Sequence, residues 1–422
     1  MRTIVVSAVN IRKGGTLTIL RQCLEYLSSV AAERDWRVVA LVHDRTLCDY
    51  PGIEYIEMPD TVRGWGKRLR AEYVDMLEVS RQLAPVDLWF SLHDTTPRVE
   101  ARRQAVYCQT SFPFMRMKWN DLRFDPKIAL FTLFTRIAYR INVHRNYRLV
   151  VQAEWLRCGL SRLLGVSRDR FIVFPPARPD LAALSAAISC PSADNAQPVN
   201  EHKSVNDNNP ATENKFGAEN KLETENKLGT ENKPTTFLFA ATPDCHKNFE
   251  TLCEAARLLE ERIGKDRFRV VFTIDGTENK YSQWLRRRWG DVASLRFRGL
   301  MPQSELFALY AATDCLVFPS RVETWGLPIS EFAALDKPML LADLPYAHET
   351  SAGSRRVAFF DSTSPAQLAD RMEQVITGDL QNFNSVPSPT LPSPNAHSWS
   401  ELFDQLINTD LSHRLTQIWG TD

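Results

Sequence analysis

Glu323 and Glu331 are the residues whose type and spacing most directly suggest chemistry. They stand eight positions apart in PSRVETWGLPISEFAALDKPMLLADLPYAHE, the stretch from Pro319 to Glu349. CLVFP is a short apolar run ending on proline, Trp325-Gly326-Leu327-Pro328 is a turn, ISEFAAL has apolar residues at helical spacing, and KPMLLAD returns to a buried strand. Strand, loop, helix, strand puts Glu323 in the loop and Glu331 in the first turn of the helix. The turn amides at Gly326 and Leu327 and the positive end of the helix lie at the same place, a ready seat for phosphate. Carboxylates accept hydrogen bonds from hydroxyls, and a nucleotide sugar carries hydroxyls on both sides of its phosphates. The carboxyl end of a strand in an open parallel sheet is where such ligands bind.

Other residues could serve the same chemistry. Lys247, in CHKNFETLCEAARLL, precedes a helix read over Asn248 to Leu259 and can set an ammonium against a phosphate. Gly14-Gly15 lies between the strand TIVVSAV and the helix LTILRQCLEYLSSV, an anion-binding opening to a doubly wound domain. It lacks the G-x-G-x-x-G spacing, so a dinucleotide site is not implied. His93-Asp94 and Gln109-Thr110 end two further strands of the first half, the place where these sheets carry function. The eight cysteines are scattered with no C-x-x-C pair, and no D-x-D element sits in a suitable loop, so no metal site is expected.

ETWGLPISE and the surrounding stretch resemble the signature of the family-4 retaining glycosyltransferases, and HKN resembles that family's phosphate-binding lysine motif. The resemblance implies an α/β protein of the GT-B fold: two Rossmann-like domains facing across a cleft, with a final helix crossing back to the first. It implies transfer of a sugar from a nucleotide diphosphate sugar to a glycan or lipid-linked acceptor, with retention at the anomeric carbon and neither cofactor nor metal. By residue, it implies catalytic roles for Glu323 and Lys247 and donor contacts from Glu331, Gly326, Leu327, Gly276 and Arg321. Gly14, Gly15, His93 and Gln109 fall on the acceptor or phosphate side. The family often has histidine where Gln109 stands, and Gln cannot carry a proton away. It commonly has an arginine shortly before the lysine, where this loop has Asp244; Arg321 or Arg12 would have to replace that cation. Asp336 stands where the family usually has glycine after the helix. An epimerase or phosphorylase of the same fold, or a non-catalytic sugar-nucleotide-binding subunit, fits the fold equally, because fold alone does not choose.

The elements that must position these residues are legible as alternating strands and helices. Residues 1–177 read as the first domain and 178–233 as a hinge and a polar insertion in which ENK recurs every six residues. Residues 234–397 read as the nucleotide-sugar domain, and 398–422 as an amphipathic helix packing on the first. Lys+Arg and Asp+Glu are equal at 51 each, so total charge names no partner. Between residues 101 and 170, however, fourteen Arg or Lys face four Asp or Glu. Aromatic residues are interleaved there, which suggests contact with an anionic membrane surface or a pyrophosphate-linked lipid. No nucleic-acid module is present, so nucleic acid is not an expected partner. Reduced thiols, no signal-peptide pattern and no run of roughly 18 apolar residues point to a cytoplasmic protein, at most on the inner face of a membrane.

Overall fold

The computed structural model describes residues 1–177, 233–388 and 390–408; the ENK repeat and residues 409–422 of the expected final helix lie outside these. The first lobe is built on a seven-stranded sheet of β1 (Arg2–Ser7), β2 (Trp36–Val42), β3 (Ile53–Glu57), β4 (Leu88–Ser91), β5 (Arg103–Cys108), β6 (Arg148–Val151) and β7 (Phe171–Val173). Its order is β3-β2-β1-β4-β5-β6-β7 and every pairing is parallel. The second lobe holds β8 (Thr235–Phe239), β9 (Phe268–Phe272), β10 (Leu295–Phe297), β11 (Cys315–Phe318), β12 (Met339–Ala342) and β13 (Val357–Phe360), in the order β10-β9-β8-β11-β12-β13, again all parallel. Strands buried on both faces demand continuous apolar runs, and VVALV, LWFS, LVV, FLF, CLVF and MLLA supply them. Two lobes, each built on an all-parallel doubly wound sheet, follow, as the GT-B resemblance implies.

The strand order reverses between β1 and β4 in the first sheet and between β8 and β11 in the second. At such a switch point the helices leave on opposite faces, and a crevice opens beyond the strand ends. The Gly14-Gly15 loop follows β1, Lys247 follows β8 and Glu323 follows β11, so the topology sets these three at the two crevices; His93 follows β4.

Near residue 394 the chain returns to the first lobe. Val173 donates its amide to Pro394 O at 3.1 Å and accepts from the Ala396 amide at 2.9 Å, so the returning segment lies along β7. The helix Trp399–Ile407 follows, capped by Ser398 and burying Leu402, Phe403 and Leu406. The Phe403 ring meets Tyr26, Trp36 and Phe90, and Arg103 binds the last helix carbonyls, Leu406 O at 3.1 Å and Ile407 O at 2.7 Å. Cation and apolar contact together fix the second lobe's terminus to the first lobe's core. Phe403→Ala should destabilise the protein by about 3–5 kcal/mol in denaturant titration. A loss below about 1 kcal/mol would show that this helix is not part of the first lobe's core.

Candidate active site

Lys247 ends a short turn, Cys245–Lys247, and Asn248 then adopts a left-handed conformation that opens the helix Phe249–Ile263. Asn248 is fully buried, and its side-chain amide donates to Pro319 O at 3.0 Å and Ser362 O at 2.9 Å. It therefore ties the lysine loop to the ends of β11 and β13, a structural reason for asparagine after the lysine. The Lys247 ammonium lies 2.7 Å from Glu323 Oε1, and only 16% and 11% of these side chains remain exposed. Removing either partner would leave a largely dry, uncompensated charge.

The loop bearing Glu323 is held from four sides. Tyr346 donates its hydroxyl to Ser320 O at 2.7 Å, Thr350 to Trp325 O, and the Arg321 amide to His246 O at 2.8 Å. The fourth anchor comes from the other lobe, where the Trp155 indole donates to Thr324 O at 3.4 Å. Glu331 sits five residues into the helix Leu327–Ala333, deeper than the first-turn position expected, and accepts from Tyr310 Oη at 2.9 Å. Burial raises its carboxyl above the ordinary range, against the stabilising hydroxyl. Gly326 has φ +94°, a conformation that favours glycine, and a Cβ there would lie 3.3 Å from Ile329 Cδ1 and in ordinary contact with Phe318. Across the gap, a Cβ on Gly15 would lie 3.6 Å from Leu327 Cδ1. The Gly14-Gly15 loop and the Gly326-Leu327 turn thus meet face to face. Gly276 follows β9 with its Cα packed on the Arg286 stem, and Leu300, after β10, stands exposed.

Three expected site residues are placed elsewhere. His93 is fully buried, with Nε2 3.0 Å from Ser7 Oγ and Nδ1 3.1 Å from Thr95 Oγ1; burial lowers its pKa to about 4, which keeps the ring neutral. It knits β1 to β4 rather than facing an acceptor. Gln109 turns its amide inward to Leu92 O at 2.8 Å. Arg321 does not reach a donor site: its guanidinium clasps the fully buried Asp121 of the first lobe and also donates to Arg116 O and Cys245 O. Part of the basic stretch is likewise turned inward. Lys118 Nζ donates to Asn248 Oδ1 at 3.3 Å, Phe112 meets His246 edge to face, and Phe124 packs on Tyr281 and Trp284.

Glu349 has a role that no reading of the sequence assigns it. Its carboxylate accepts the backbone amides of Glu154 at 2.7 Å and Trp155 at 2.6 Å, so a second-lobe acid caps a first-lobe helix, Glu154–Leu164. No local pattern could show it, because partner and cap are 195 positions apart.

Residues 220–385 match the family model described as glycosyl transferases group 1. The match falls largely on the second lobe. A D-inositol 3-phosphate glycosyltransferase of Corynebacterium aurimucosum is 28% identical over 167 residues, covering 38% of this chain; the chain spans 39% of that relative's length. Among solved structures, WaaG, a glycosyltransferase involved in lipopolysaccharide biosynthesis, superposes with a TM-score of 0.56 at 14% identity, covering 99% of this chain and 100% of its own. Anabaena Alr3699/HepE in complex with UDP and glucose gives 0.54 at 13% identity, over 98% and 97% of the two chains. These structures share the GT-B fold with this chain.

Burial raises the Glu349 carboxyl to about 7, despite the two amides that favour its charge. A carboxyl raised in the folded state contributes stability fully below the unfolded value of 4.5 and loses it as pH rises through about 7. Relative to Glu349→Gln, the wild type should therefore lose melting stability between about pH 5 and pH 8, by at most about 3 kcal/mol. A difference that does not change with pH would show that Glu349 does not titrate there.

Proposed function

We propose that this chain is a retaining glycosyltransferase that moves a sugar from a nucleoside diphosphate sugar to a glycan or lipid-linked acceptor, in assembly of an envelope polysaccharide or lipopolysaccharide. The observation that carries this reading is the dry Lys247–Glu323 pair at the β8/β11 switch point of the lobe on which the group 1 glycosyl transferase match largely falls. The arriving diphosphate takes the Lys247 ammonium and the amides of the Gly326-Leu327 turn, and Glu323 is freed to accept hydroxyls of the donor sugar. Glu331, already holding one hydroxyl from Tyr310, accepts those of the ribose. The base lies toward Gly276 and Leu300.

In the transfer, the bond from the anomeric carbon to the diphosphate oxygen breaks, and negative charge grows on that oxygen. Fixed donors stabilise charge most strongly where it develops, which is the task of Lys247 and the turn amides. The acceptor hydroxyl attacks from the same face and passes its proton to the departing phosphate. His93 and Gln109 are turned inward, and this route asks no base of the first lobe. The charge that offsets the phosphates is Lys247, so on this reading no metal is required. The Gly14-Gly15 loop borders the acceptor, and a lipid-linked acceptor would place the protein at a membrane surface.

A thermal-shift screen of nucleoside diphosphate sugars should identify the donor, since a ligand selective for the folded state raises its stability. With that donor, Lys247→Ala and Glu323→Ala should each lower transfer by roughly a hundredfold or more while the fold survives. The product should keep the donor's anomeric configuration by NMR, and EDTA should leave the rate unchanged. Near-normal turnover in Glu323→Ala would sink the assignment.

A further inference from the structure

The helix Pro126–Ala138 is amphipathic in the wrong sense for a protein facing water. Its inward face carries Thr132 and Thr135, both buried, whose hydroxyls turn back to Ile128 O at 2.8 Å and Phe131 O at 2.7 Å. Its outward face carries Leu130, Leu133, Phe134 and Ile137, which are 58%, 63%, 54% and 59% exposed. Their spacing of three, one and three residues forms one stripe, and Ile141 extends it beyond the helix end. The patch continues sideways: Phe131 packs on Trp65 at 5.6 Å, and Trp65 and Leu69 of the helix Trp65–Arg70 are themselves exposed. An exposed apolar surface of this extent marks an interaction site.

The charges around it select the occupant. Between residues 111 and 147 stand seven Arg or Lys and two Asp. Both aspartates are engaged: Asp121 with Arg321, and Asp125 as the cap accepting the Ile128 amide. Lys127 and Arg136 of the stripe's own helix and Arg140 just past it are exposed; on the neighbouring segment Arg63 and Lys67 are exposed and share Asp60, and Arg70 pairs with Asp75. Two copies meeting through this face would bring like charges together. A surface with apolar depth beneath a negative layer satisfies both features.

We propose that the face formed by the helices Pro126–Ala138 and Trp65–Arg70 seats on an anionic lipid bilayer, with Leu130, Leu133, Phe134 and Ile137 entering the acyl boundary and the flanking Arg and Lys meeting the headgroups. This deepens the lipid-side reading of the acceptor and rests on it only for biological purpose; the surface itself is tested without turnover. The full chain should float with phosphatidylcholine vesicles that contain phosphatidylglycerol and bind less to vesicles without it. The double variant Leu133→Glu, Phe134→Glu should reduce partitioning roughly tenfold or more. Lys127→Glu should weaken binding and flatten its dependence on salt. Thermal melting and nucleotide binding should stay as in the wild type for all variants, since every substituted side chain is exposed. Failure of the wild type to float, equal flotation of the stripe variant, or a wild-type dimer that the stripe variant dissociates would overturn the proposal. Loss of nucleotide binding by the wild type would instead count against the enzyme reading alone.

Discussion

A cation and a carboxylate brought together mostly out of water, Lys247 and Glu323, set the constraint from which the second lobe follows. Either charge left there alone would be costly, so the two loops that bear them are held firmly in place. Neighbouring strands β8 and β11 supply the loops, buried Asn248 binds one to the other's strand end, and Tyr346 and Thr350 fasten the glutamate loop from beneath. Rigid support of this kind is what a site needs if its donors are to act on charge as it develops.

Much of the architecture can be read from the chain because parallel strands buried on both faces leave unbroken apolar runs. β4, β6, β8, β11 and β12 are recognisable that way. β3 is not recognisable: IEYIE lies at the sheet edge, half exposed, and its mixed polarity resembles a loop. Asp336 does take the left-handed conformation expected of its position, at φ +52°, and Arg355 binds its carboxylate. The pairing of Lys247 with Glu323 and the hydroxyl of Tyr310 on Glu331 are not legible, because partners separated by tens of residues leave no local periodicity.

The first lobe departs from expectation for one physical reason. A polar residue at a strand end can face the crevice or close the top of the core, and its type is the same in both cases. His93 closes the core, joining Ser7, Thr95 and, through Thr95, Glu72. The basic stretch divides similarly: residues 112–124 lie against the second lobe, where Asp121 needs Arg321, and the next helix turns its apolar face outward. A count of charges along the chain gives one segment where the fold makes two.

The path of the chain between lobes has a mechanical corollary. The described chain leaves the first lobe through Phe174 to Ala177, and the returning segment at Pro394 to Ala396 lies beside Val173, so departure and return meet at the same edge strand, β7. Any change in the angle between the lobes would alter the approach of Gly15 to Leu327 and of Trp155 to Thr324, so the hold on the Glu323 loop is tied to how the lobes are set.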